Sequence, residues 1–133
     1  MRAVFDTNIY VSAFAIPGGR AEGALLKAVK GEVRLVISKP IMHELLDVLA
    51  RKFGRDAEEL ARVAVFLAEL AEVVQPRRKI DMLSDDTDNR ILECAIAGRA
   101  DVIVTGDRAM LELGEYHGVR IMTLRAFLGA RRS

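Results

Sequence analysis

Tryptophan is absent from the 133 residues, and cysteine occurs once. A lone cysteine excludes a disulfide framework. Cys94, with Leu92, Ala95 and Ile96 around it, reads as a buried apolar residue rather than a nucleophile or ligand. Histidine is almost as scarce: His43 and His117 stand isolated and are expected at the surface or its boundary. Side-chain amides number three, Asn8, Gln75 and Asn89, which together with abundant Arg and Glu points to a heat-tolerant source. Neither sign of charge dominates, since 20 Lys and Arg face 19 Asp and Glu. A net charge of +1 makes no case for a globally basic nucleic-acid binder, so any such binding must use a local patch. No uninterrupted apolar run is long enough to span a bilayer, and no basic segment precedes an apolar signal core, so a cytoplasmic protein is expected. Repeats, low-complexity segments and linkers are also missing. With 51% hydrophobic residues, the chain is expected to form one compact domain over 1–133.

What is present is an alternation of strand and helix. Arg2 to Asn8 begins as an apolar, β-prone run and ends in an acid and two small polar residues, the pattern of a buried central strand. Ile9–Phe14 is a short apolar segment ended by Pro17-Gly18-Gly19. A helix follows over Ala21–Lys30, stopped by Gly31, and then a second strand at Leu35-Val36-Ile37. Ser38-Lys39-Pro40 starts a helix that Gly54 closes, with Ile41, Leu45, Val48 and Leu49 as its apolar stripe. Asp56 caps a helix over Ala57–Glu72 whose apolar face is wide enough to suggest a homodimer or partner surface. Val73-Val74 forms a short third strand. Further on come a helix over Asn89–Ala97, a fourth strand at Val102–Thr105, a short helix over Ala109–Leu113, a fifth strand at Val119–Met122 and a last helix capped by Thr123. The Arg131-Arg132 tail is expected to be loose. The alternation means an α/β layered fold with a mainly parallel sheet.

Acids then fall in telling places. Asp6 and Asp107 end strands, where the ligand crevice of an open parallel sheet lies. Asp6 as a mere cap of the following helix is the competing reading. Glu44 points along the buried stripe of its helix. Asp88 heads the stripe of Ile91, Leu92, Ala95 and Ile96, whereas Asp85 and Asp86 can serve as caps; Glu93 lies to the side of that stripe. Two carboxylates about 4 Å apart repel by about 4 kcal/mol at an effective dielectric near 20, so a cluster of Asp6, Glu44, Asp88 and Asp107 requires a cation. Hard oxygen donors without His or Cys select Mg²⁺ or Mn²⁺, and such sites leave positions for water and phosphate. Metal-assisted phosphodiester chemistry follows. Thr7, Asn8, Ser38 and Thr105 stand beside the acids and can orient water or phosphate, or simply satisfy local backbone. Arg77-Arg78-Lys79 is a basic run suited to phosphate contacts if it adjoins the site.

The segments Val4-Phe5-Asp6-Thr7-Asn8, Val11-Ser12-Ala13, Pro17-Gly18-Gly19, Ser38 through Glu44-Leu45, Asp88-Asn89 through Leu92-Glu93-Cys94-Ala95, Val104-Thr105-Gly106-Asp107 and Gly118-Val119-Arg120-Ile121 carry a resemblance in their order along the chain. Together they resemble the PIN-domain family of Mg²⁺-dependent ribonucleases, and more closely its bacterial and archaeal VapC-like branch of toxins from toxin-antitoxin pairs. The resemblance implies a three-layer α/β/α fold with a five-stranded parallel sheet in the order 3-2-1-4-5. It implies metal-ligand roles for Asp6, Glu44, Asp88 and Asp107 and supporting roles for Asn8 and Thr105. It also implies cleavage of single-stranded RNA by a metal-activated water, leaving a 5′-phosphate and a 3′-hydroxyl, in a homodimer silenced by a small antitoxin. The crowded Asp85-Asp86-Thr87-Asp88 run departs from the family pattern, and helical phase favours Asp88 as the third acid.

Two other readings compete. A haloacid-dehalogenase-like phosphatase would use Asp6 and Gly106-Asp107, but it requires a second Asp where Asn8 stands. The other is a catalytically inactive PIN-like RNA-binding module. A response-regulator receiver fails because no Asp ends the third strand.

Overall fold

The structure, a computed structural model, describes residues 1–129, so the Arg131-Arg132 tail lies outside the described residues. Strand β1 (Arg2–Phe5) leads into α1 (Thr7–Ala15) and α2 (Arg20–Val29), then β2 (Arg34–Ser38), α3 (Lys39–Phe53), α4 (Ala57–Leu70) and β3 (Glu72–Val74). The second half runs α5 (Asp86–Ala97), β4 (Val102–Val104), α6 (Arg108–Leu113), β5 (Glu115–Tyr116), β6 (Val119–Met122) and α7 (Leu124–Gly129). The strands form one sheet in the order β3-β2-β1-β4-β6-β5.

Five of these strands are parallel and reproduce the expected 3-2-1-4-5 order, with β6 as the fifth. The correction is a sixth strand: β5 pairs antiparallel with β6 through Tyr116↔Val119, so the sheet is mixed at this edge. His117 and Gly118 form the intervening turn with φ of 49° and 84°, the doubly left-handed geometry of a type I′ hairpin.

Parallel strands covered on both faces must be apolar throughout, and Ala3, Val4 and Phe5 of β1 are all buried. Helix α5 packs on β1, β2 and β4, while α1 packs on β1 and against α2 and α3. Phe5 meets Tyr10 of α1 and, edge-on, Phe127 of α7 at centroid distances of 5.6 and 5.5 Å. At the amino end of the sheet Arg2 ties the layers together. Its Nε donates to the Gly98 carbonyl at 2.8 Å, and its two terminal nitrogens reach Glu72 at 3.2 and 2.9 Å. Gly98 is buried, and a Cβ there would overlap the Val36 side chain, so α5 can lie this close to β2 only with glycine at that point.

Two helix boundaries differ from expectation by more than one residue. Helix α4 stops at Leu70 because Ala71 is extended and Glu72 pairs with Val36 of β2. Helix α5 begins at Asp86 rather than Asn89, because Asp85 is the residue that caps it, accepting from the Thr87 amide at 3.0 Å. Asp88 therefore lies inside the first turn. No helix among the described residues is long and apolar enough to cross a membrane.

Candidate active site

The parallel register brings three polar strand ends side by side. Phe5 pairs with Val104, the Asp6 amide donates to the Val104 carbonyl at 2.9 Å, and Ser38 closes β2 on the other side of β1. Asp6, Ser38 and Thr105 are all buried there. Asp6 stands at the N-cap position of α1, but its carboxylate makes no capping hydrogen bond. It accepts instead from the Thr105 hydroxyl at 2.6 Å. The same hydroxyl accepts from the Asp107 amide at 3.0 Å, and Asp107 Oδ2 accepts from the Met110 amide at 2.9 Å, capping α6. One chain of hydrogen bonds thus orients both strand-end acids.

Helices supply the other two. Glu44 stands in the second turn of α3, half-buried over the strand ends, and its carboxyl is raised above the usual range by burial and then by the negative charge of Asp6. Thr7 faces Glu44 and opposes that rise, although its hydroxyl makes no full hydrogen bond. Asp88, 5% exposed, is pushed up to about 7 by burial and then by the charges of Asp107, Asp85 and Asp6. Its Oδ2 is buried without a hydrogen-bond partner. Asp6 itself is raised by burial, with the Thr105 hydrogen bond pulling the other way and Asp107 adding to the rise. Like charges gathered in a desolvated pocket resist ionisation, and every one of these shifts has that origin.

Residues 2–109 match the family model described as PIN domain. The chain belongs to the PIN domain family. Its fold is similar to a chain in the crystal structure of VapBC2 from Rickettsia felis bound to a DNA fragment from their promoter. That match has a TM-score of 0.67 and 19% identity over 92% of this chain and 98% of that one. A chain of VapBC-1 from nontypeable Haemophilus influenzae matches with a TM-score of 0.65 and 19% identity, over 94% of this chain and 99% of that one. Comparison with curated proteins gives no match.

In this PIN domain the charge of Asp6 reaches Glu44 and Asp88, and that of Asp107 reaches Asp6 and Asp88, but the four do not form a closed cage. Among the described residues, no three acid, histidine or cysteine side chains converge as a metal-ligand set. Asp6 is held by Thr105 and Asp107 by its helix cap, so both are committed to protein donors. An open set of hard oxygens still fits Mg²⁺ or Mn²⁺, which take few protein ligands and keep several waters. The unpartnered Asp88 Oδ2 is the atom most in need of such a cation.

Other expectations divide. Asn8 is exposed on the first turn of α1. Ser38 takes the N-cap position of α3, but its hydroxyl makes no capping bond and stands beside Cys94. Cys94 is buried as expected, and burial pushes its thiol up to about 12. Sequence reading missed Asn89 and understated Glu93. The Asn89 side chain accepts from Met82 and Leu83 amides at 3.1 and 2.8 Å and donates to the Leu83 carbonyl at 2.8 Å. Glu93 accepts from the Ile80 amide at 2.8 Å and from Arg90 at 2.7 Å. Both tie the segment before α5 to the helix that carries Asp88.

Proposed function

We propose that this PIN domain is a metal-dependent endoribonuclease acting on single-stranded RNA, the toxin of a toxin-antitoxin pair. The observation that carries the reading is that, at the carboxyl end of the sheet, burial raises the carboxyls of Asp6, Glu44 and Asp88, the charge of Asp6 adds to the rise at Glu44 and Asp88, and that of Asp107 adds to the rise at Asp6 and Asp88. Such a cluster is tolerable when a divalent cation neutralises it.

Asp6, Glu44, Asp88 and Asp107 would hold Mg²⁺ or Mn²⁺. The bound ion supplies a lowered pKa for coordinated water and charge stabilisation at the scissile phosphodiester. Thr105 fixes the Asp6 carboxylate by donating to Oδ2, and Asp107 is fixed by its cap. Asn8, exposed two residues after Asp6, is available to a phosphate or water at the mouth. Two further features support protein partners. Val65 and Phe66 of α4 are 56% and 39% exposed, which suits a homodimer or a small antitoxin, and the similar folds come from VapBC structures.

The test is degradation of single-stranded RNA by the purified chain with Mg²⁺ or Mn²⁺, compared with EDTA. Asp6→Asn should abolish cleavage while leaving the thermal melt cooperative. Unchanged cleavage in that variant refutes the assignment, and no cleavage by the wild-type chain with Mn²⁺ would favour an inactive RNA-binding module.

A further inference from the structure

The basic run Arg77-Arg78-Lys79 does not adjoin the carboxylates. It lines a separate cleft of about 580 Å³ on the outer side of α5, closed on the far side by Tyr116 and His117 of the β5–β6 hairpin. The volume is that of a small-molecule site. Ile80, Met82 and Ile96 give it apolar surface. From Asp88, the α5 residues lining this cleft lie roughly 8–14 Å further along the helix axis.

Charge in the cleft is unbalanced. Among the described residues, none of Arg77, Arg78 and Lys79 forms an ion pair, and all three are exposed. Two acids also line it, but Glu93 is committed to Arg90 and the Ile80 amide. That leaves three free cations against Asp81. Across from them Tyr116, half-buried and edge-on to His117 at 4.5 Å, offers an aromatic surface. Free cations beside an aromatic and apolar wall are what a phosphorylated nucleoside needs: charge for the phosphate and a flat surface for the base.

We infer that this cleft is a second, non-catalytic site for a nucleoside phosphate, with the phosphate on Arg77, Arg78 and Lys79 and the base toward Tyr116. The nucleotide is either free or one unit of a single-stranded RNA; only the second source rests on the nuclease reading.

The experiment is fluorescence anisotropy on the full chain in EDTA, where metal-dependent cleavage plays no part. The probes are a fluorescent derivative of adenosine 5′-monophosphate, the same derivative of adenosine, and a labelled short single-stranded RNA. Binding of the monophosphate, competed by inorganic phosphate and weakened about tenfold or more in Arg77→Ala/Arg78→Ala, supports a free-nucleotide site. Binding of the RNA alone, weakened likewise, supports a strand-binding site, and Tyr116→Ala should weaken either. Equal binding by the double variant, equal binding of the adenosine derivative, or no binding of any probe overturns the proposal. Phosphate competition on the wild-type chain needs no variant, so the test survives a misfolded double mutant. Binding is read in EDTA and cleavage in Mg²⁺, so failure of this site and failure of the nuclease reading are distinguishable.

Discussion

The Thr105 hydroxyl donates to Asp6 Oδ2 at 2.6 Å across 99 residues of sequence, and both groups are buried. Because that hydroxyl also accepts from the Asp107 amide, one oxygen sets the orientation of two candidate ligands.

Thr105→Val keeps the shape and removes the hydroxyl. It should lower kcat at least tenfold with little change in KM, since the acids are misplaced while the surfaces that bind RNA are untouched. The buried Asp6 carboxylate and the part-buried Asp107 amide lose their partner, so stability should fall by about 1–3 kcal/mol in urea unfolding. Thr105→Ser should restore both; failure of that rescue would show that the methyl, not the hydroxyl, matters.

Asp88 sets a pH dependence for the metal-free chain. Its carboxyl is raised to about 7 in the folded state, against an ordinary value near 4 when unfolded. Over that interval the folded chain holds more protons, so stability falls as pH rises. The contribution is fully present below about 4 and lost above about 7. Asp6 and Glu44 are displaced in the same direction. The melting temperature in EDTA should be higher at pH 5 than at pH 8, and Asp88→Asn should flatten the difference. Excess Mg²⁺ should recover the loss at pH 8.

Glu44→Gln separates function from folding. Glu44 is half-buried and carries the repulsion of Asp6 without a cationic partner. Neutralising it should raise stability in EDTA by about 0.5–2 kcal/mol while reducing metal-dependent cleavage. Calorimetry and a cleavage time course on the same sample decide this; a destabilised variant would mean that Glu44 has a structural role.

Asn89→Ala removes three hydrogen bonds to Met82 and Leu83. It should cost about 1–3 kcal/mol and speed amide exchange at Met82 and Leu83 specifically.

Legibility in the sequence followed the strength of each local signal. β1 and β4 announced themselves as apolar runs stopped by polar residues, and their acids fell at the predicted end. Helix α3 had unambiguous bounds in Ser38-Lys39-Pro40 and Gly54, the latter left-handed at φ 61°. The start of α5 did not, because Asp85, Asp86 and Asp88 are chemically equivalent caps and only the folded geometry shows that Asp85 takes the role. β5 has two residues and no apolar run; its only trace was Gly118, and His117 stands where Asn, Asp or Gly usually announces a type I′ turn. The distribution of Asp107 between helix cap and candidate ligand, and the bracing by Asn89 and Glu93, depend on partners far away in sequence.

Helix α5 is a stiff rod of about 18 Å with Asp88 near one end and Gly98 just past the other. Contact between Gly98 and Val36 makes a fulcrum at the base of the sheet. A side chain grown at residue 98 would tilt the rod, and the tilt would be felt as a displaced carboxylate on the opposite rim. Genetic loss of activity from a change so remote would then record leverage, not chemistry.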